Sequence, residues 1–224
     1  MEPTFWHSND LVKLFPGTKP DAKPFTIHKD FACHYSPVFN AAFNSKFLEG
    51  QTQEYRLECD GINENVVRLL VHWIYTQRLE LLQIQTENAV ESTEKAEADM
   101  EFFITKNECL VKLWVLADKL LMPALQNAII GALEASRREK STTVSAKLIG
   151  YVCENTGRDS PLRRYMVAQY AGHVHSEWLI AHDGQVPAEF LADMVVLYKS
   201  KIDSRTKISL QPGNNMSVYK VPEE

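Results

Sequence analysis

Apolar positions recur along the chain with two spacings, and the changes of spacing mark its elements. Residues 11–15 form a short apolar run closed by Pro16-Gly17, which predicts an edge strand. Phe25-Thr26-Ile27 alternates and predicts a second strand, and the turn-rich residues 16–24 predict a hairpin between the two. Tyr55, Leu57 and Cys59 alternate with Arg56 and Glu58, the pattern of a strand with one buried face. Residues 78–84 predict a further short strand.

The other spacing is helical. Ser36-Pro37 starts a helix, with a serine cap and a proline at the first helical position. Phe39, Ala42, Phe43 and Phe47 then share one face, and Gly50 is the expected stop. Asp60-Gly61 turns the chain into a helix faced by Ile62, Val66, Leu69, Leu70, Trp73 and Ile74. Thr105 and Glu108 have the spacing of a capping box, ahead of Leu110, Leu113, Trp114, Ala117, Leu120 and Leu121. Pro123 breaks that helix and opens another, carrying Leu125, Ala128, Ile129, Ala132 and Leu133. Beyond the charged stretch 137–143, a candidate boundary, only helices are expected. They cover 144–154, a segment opened by Ser160-Pro161 with Tyr165, Met166 and Tyr170 on one face, and one opened by Pro187 with Phe190, Met194 and Leu197. From residue 201 the chain turns polar, and Gln211-Pro212-Gly213-Asn214-Asn215 marks an expected disordered tail.

The 224 residues suit one large domain or two small ones, and 45% hydrophobic with 24% charged residues excludes wholesale disorder, collagen and coiled-coil rods. No apolar run is long enough to span a membrane, and the polar first ten residues carry no secretory signal, so cytosol or nucleus is the expected address. The net charge of -5 resides in residues 84–101, with six acids and one base. Residues 84–104 are therefore expected to form an acidic loop, either a solvated insertion or an acidic docking segment. No basic face is visible, which disfavours direct nucleic-acid binding. Cysteines 33, 59, 109 and 153 include no C-x-x-C pair and read as small buried hydrophobes.

The chain has no glycine-rich phosphate loop, nucleophile elbow or metalloprotease motif. His173, His175 and His182 form its one histidine cluster, and the first two would point about 200° apart on a helix, poorly placed to share a metal. No enzyme activity, cofactor or metal is expected.

The stretch Phe25-Thr26-Ile27-His28-Lys29-Asp30-Phe31-Ala32-Cys33-His34-Tyr35-Ser36-Pro37-Val38-Phe39 resembles the BTB/POZ domain, in which a strand ending in an apolar-x-His-Lys/Arg element leads into an apolar helix. Phe47-Leu48-Glu49 before the strand Tyr55-Arg56-Leu57, the helix closing on Trp73-Ile74-Tyr75-Thr76, and Leu116-Ala117-Asp118-Lys119-Leu120-Leu121-Met122-Pro123 extend the resemblance. Tyr75-Thr76 is followed by Gln77 where the family pattern has glycine, and the acidic stretch lengthens the next connection. The resemblance implies an α/β fold: a small, mostly three-stranded sheet flanked by helical hairpins over residues 9–136, then an all-helical C-terminal extension over 141–200. Ser160-Pro161-Leu162-Arg163-Arg164-Tyr165 is similar to the extension of BTB proteins from filamentous fungi.

The resemblance further implies a protein-protein interaction module. In BTB adaptors an apolar-x-Glu motif after the second helix contacts a cullin scaffold and recruits substrates for ubiquitin transfer; Phe47, Leu48 and Glu49 match it here. The alternative is that Phe47 continues the core stripe of Phe39 and Phe43 and that Glu49 is a solvated helix-end charge. In dimeric members an acid near the first strand and a base after the histidine form a charged pocket; Asp10 and Lys29 match these, against the alternative of two unrelated surface charges. The implied partners are proteins: the BTB-binding cullin, a second copy of the chain, or the members of a co-regulator scaffold, with no nucleic acid and no membrane.

Overall fold

The computed structural model describes residues 9–17, 21–59, 61–81, 95–140, 145–182 and 184–203, together with Pro3 and Thr206. Three strands form one mixed sheet in the order β2-β1-β3: β1 (Leu11–Pro16), β2 (Phe25–His28) and β3 (Glu54–Leu57). β1 and β2 are antiparallel with Val12 opposite Ile27, the pairing a hairpin produces. β1 and β3 are parallel with Leu14 opposite Tyr55. Alternation along the strands puts Val12, Leu14, Ile27 and Leu57 on the buried face.

A parallel pair needs a crossover, and three short helices supply it: α1 (Lys29–Tyr35), α2 (Pro37–Phe43) and α3 (Leu48–Thr52). The expected single helix from Ser36 to Gly50 is thus two helices. α4 (Glu64–Thr76) follows, capped by Asn63, whose side chain accepts from the Val66 amide at 3.2 Å. Gln77 ends α4 in left-handed backbone, φ 55°, where the family pattern has glycine. Its side-chain amide donates to the Trp73 carbonyl at 2.9 Å, so the glutamine supplies its own cap.

α5 (Lys95–Lys119) begins ten residues before the expected capping box. Residues 95–104, expected in the acidic loop, are therefore helical, and residues 84–94 lie outside the described residues. The apolar pair Phe102 and Phe103 explains the extension: Phe103 is buried, and the Lys106 ammonium lies 5.9 and 5.8 Å from the two ring centres and 3.7 Å from Glu139. Thr105 and Glu108 sit inside the helix, where Glu108 pairs with Lys112. Residues 78–81 form no strand, and 82–84 lie outside the described residues.

α6 (Pro123–Lys140) runs through the first part of the expected boundary. Glu134 holds it together there by accepting from Arg137 and Arg138 one turn on, at 2.7 and 2.8 Å. The remaining helices are α7 (Ala146–Asn155), α8 (Pro161–His173), α9 (Ser176–Ala181) and α10 (Ala188–Lys201); α9 had no sequence signal. α7 packs against α5 and α8, and α10 against α8. Buried side chains from Val12 to Met194 form one contiguous core across sheet and C-terminal helices. The tail beyond Thr206 lies outside the described residues.

The Arg163 guanidinium, almost fully buried, bonds Asp193 at 2.8 Å and Glu189 at 3.0 Å, and Arg158 completes the group on Asp193 at 2.6 Å. Near the other end of the core, Ser36 is fully buried. Its Oγ accepts from the Phe39 amide at 3.1 Å and donates to the Leu120 carbonyl at 2.8 Å. One hydroxyl thus caps α2 and joins it to the turn between α5 and α6. Ser36→Ala removes the cap and strands a buried carbonyl. It should lower stability by about 2–3 kcal/mol and the melting temperature by roughly 4–12 °C. Thermal unfolding followed by circular dichroism measures this, and a shift below 2 °C would show that the bond contributes little.

Candidate functional site

α2 stops at Phe43 because its last carbonyl is taken by side chains. The Lys29 ammonium and the Gln53 amide donate to the Phe43 oxygen at 3.0 and 3.1 Å. Ser45 then organises the bend: its hydroxyl donates to the Ala42 carbonyl at 2.8 Å and accepts from the Phe47 amide at 3.1 Å. Gly50 does not stop a helix. It lies within α3, where a Cβ would stand 2.0 Å from the Ser45 carbonyl oxygen. Only glycine lets α3 fold back so closely onto the bend.

The bend takes Phe47 off the core stripe. Phe39 and Phe43 are buried, whereas Phe47 is 77% and Leu48 69% exposed. Two adjacent large apolar side chains therefore stand in water at the start of α3. Glu49, half-buried beside them, lines a cleft of about 240 Å³. Tyr55, Leu57 and Cys59 line it from the β3 side, and Leu116, Lys119 and Leu120 from the end of α5. Burial pushes the Tyr55 phenol above its ordinary pKa, and the neighbouring Glu49 carboxylate pushes it the same way. The ring stays neutral and packs edge-on against Phe39, with centres 5.2 Å apart. The arrangement has an exposed apolar pair next to a carboxylate, and a cleft with one aromatic residue, Tyr55, in its lining. It suits the docking of another protein better than the activation of a small molecule.

The other predicted pair is joined through backbone. The Lys29 amide donates to the Asp10 carbonyl at 2.8 Å, while the Lys29 ammonium goes to Phe43. The Asp10 side chain is exposed. Beside them His28 ties β2 to α4: its amide donates to the Tyr75 hydroxyl at 2.9 Å, and its Nδ1 lies 2.7 Å from the same oxygen.

The histidine cluster is not assembled into a site. His173 Nδ1 lies 3.0 Å from the Gln169 carbonyl and Nε2 3.0 Å from Arg137, while His182 stacks on Trp178 with ring centres 4.0 Å apart. Cys59 and Cys109 are buried; burial pushes the Cys33 thiol up and the Cys153 thiol to about 11, which keeps both protonated and weakly nucleophilic at neutral pH. Among the described residues, no three His, Cys, Asp or Glu side chains are grouped to hold a metal, and no helix is long and apolar enough to cross a membrane.

The family model of the BTB/POZ domain matches residues 19–98. The match takes in β2, β3 and α1–α4, and with them the bend, the exposed pair and Glu49. No curated protein matches the chain. The chain carries a BTB/POZ domain, a protein-protein interaction module.

Because the bend rests on Gly50, Gly50→Ala should force α3 away from Ser45 at a cost of about 1–3 kcal/mol, or roughly 2–12 °C in melting temperature. Thermal unfolding of the variant checks this. An unchanged melting temperature would mean that the close approach is not a constraint.

Proposed function

We propose that this BTB/POZ-domain chain is an adaptor that acts by binding rather than by catalysis, recruiting a substrate to a cullin-type ubiquitin ligase through Phe47, Leu48 and Glu49. One observation carries this reading: the residues at the motif positions are a rigidly presented apolar pair in water, followed by a carboxylate at the mouth of a cleft. An exposed aromatic is a natural binding anchor, and the adjacent carboxylate adds orientation and on-rate more than affinity. The fold gains little from keeping Phe47 and Leu48 apolar, since both lie mostly outside the core.

The C-terminal helices, similar in sequence to the extension of fungal BTB proteins, take the substrate or brace the cullin contact. Their core is continuous with that of the BTB domain, which favours a fixed orientation between the two surfaces over a flexible tether.

Self-association as a scaffold is the second reading. Asp10 and Leu11 are exposed at the start of β1, next to the Lys29 backbone. The Lys29 ammonium uses one of its three donors on the Phe43 carbonyl, so a charged pocket shared between two copies would have to bring the Asp10 carboxylate to the ammonium where that bond holds it.

Calorimetric titration of the full chain against the N-terminal domain of the BTB-binding cullin separates the two. The adaptor reading expects submicromolar binding that Glu49→Lys abolishes while the mass by light scattering stays unchanged. Asp10→Ala is expected to leave cullin affinity intact and to lower the mass only if the chain self-associates through that site. No binding of wild-type protein at tens of micromolar would end the adaptor reading, and a dimer insensitive to Asp10→Ala would end the pocket.

A further inference from the structure

α10 is apolar over more of its circumference than its packing uses. Phe190 and Met194 are buried and Asp193 is held by Arg163, which fixes the face turned to α8. Leu191, Val195, Val196 and Tyr198 nonetheless stand in water, at 37, 53, 66 and 44% exposure. Among the described residues no other helix exposes as many large apolar side chains. A helix that is apolar nearly all round is normally covered, and a contiguous exposed apolar patch marks an interaction surface.

The exposed side chains form two neighbouring rows. Leu191, Val195 and Tyr198 recur at helical spacing and make one. Ala192 and Val196 lie in the next, which opens at Glu189 and closes at Lys199. The intervals along that second row are the same read from either end. Both end groups are presented to solvent. Glu189 is 52% exposed and is oriented by Arg163 at 3.0 Å, and Lys199 is exposed in the last turn. The Tyr198 hydroxyl donates to the Ala171 carbonyl at 2.5 Å, so its polar atom is already partnered and its ring is held in place.

Charge selects the occupant. An acid at one end of a row, a base at the other and only apolar residues between them match a second helix of the same sequence running antiparallel. Glu189 then faces Lys199 of the second copy at each end, and Ala192 faces the larger Val196. A partner helix of uniform charge would match one end and repel the other.

We propose that α10 is an interface between two copies of the chain, which pair their α10 helices antiparallel about a two-fold axis beside Val195 and Val196. The surface lies outside the residues matched by the family model and uses neither Asp10 nor Lys29, so it is independent of both readings above. One 14-residue helix per copy is about 21 Å long. That is less than a standard interface, so the dimer should dissociate on the order of tens of micromolar.

Light scattering of the full chain over about 5–500 µM tests this, with thermal unfolding of each variant. The wild-type chain should pass from one copy to two across that range. Val195→Glu puts a charge at the centre of the patch, on an exposed helical position. It should stay a single copy throughout, with a melting temperature within about 3 °C of wild type. Lys199→Glu sets two acids against each other at both ends and should weaken association about fivefold or more, whereas Lys199→Arg should stay within about twofold. Should Val195→Glu not fold, the Lys199 pair decides alone. Asp10→Ala should leave the mass unchanged at every concentration. A wild-type chain that remains a single copy at the highest concentration would overturn the proposal. If Val195→Glu then also melts more than about 5 °C lower, another part of this chain covers the face. A dimer that survives Val195→Glu, or that Asp10→Ala dissolves, would overturn it as well. Equal affinities in Lys199→Glu and Lys199→Arg would overturn the antiparallel pairing.

Discussion

The hydroxyl of Ser36 lies without solvent exposure between the first turn of α2 and the carbonyl of Leu120, and it ties the start of α2 to the end of α5 beside the candidate site. One side of the cleft is Glu49 of α3 with Tyr55 to Cys59 along and after β3; the other is the end of α5. The two sides come from separate stretches of the chain, and no strand pairing links them. A buried hydroxyl used at both its donor and acceptor sides leaves neither helix free to slide without an unmet hydrogen bond, a cost of about 1–3 kcal/mol. It is a directional constraint, where the surrounding Phe39, Val66 and Leu120 contacts are not directional.

The second wall is braced from behind. α7 packs on α5, and α8 connects back to α6 through the Tyr165 hydroxyl, which donates to Glu134 at 3.2 Å. Hydrogen bonds from Arg137 and Arg138 hold the Glu134 carboxyl well below the usual carboxylate range, and burial with Glu134 at hand pushes the Tyr165 phenol up. Both groups therefore keep their roles, acceptor and donor, across the physiological pH range. α10 is locked to α8 by the buried Arg163 with Asp193 and Glu189. Such a pair adds little net stability but makes any other register costly, since slippage would leave a guanidinium buried alone. The C-terminal helices thus act on α5 as a fixed backing.

Much of the fold was legible because its elements carry strong local signals. Alternation over Tyr55 and Leu57, the Ser36-Pro37 start and the apolar face from Val66 to Ile74 each reflect a side chain's periodic access to the core. The failures were of two kinds. Residues 95–104 counted as acidic, yet Phe102 and Phe103 extend α5 by stacking on Lys106, a pairing set by α6 and invisible to composition. The stripe through Phe47 failed for the opposite reason. Helical spacing of phenylalanines shows that a face exists but not where it stops, and the stop depends on Lys29 and Gln53 reaching the Phe43 carbonyl from elsewhere in the chain.

The candidate site was legible only as a resemblance at Phe47, Leu48 and Glu49; the opposite side of the cleft, Leu116, Lys119 and Leu120, read only as a helix face and its end. Glycine past a helix end announces left-handed backbone, and the chain uses Gln53, Gln77 and Leu121 there instead. The strain at each is about 1–2 kcal/mol before compensation. At the glutamines a side-chain amide offsets it by closing the helix end. Leu121 has no polar side-chain group with which to close a helix end, and its side chain is 59% exposed. Leu120, its neighbour, packs inward and carries the carbonyl that Ser36 holds, so the constraint that aligns the two walls also aims Leu121 outward. The same hydrogen bond that stabilises the fold therefore fixes the backbone next to a leucine whose side chain stands in water.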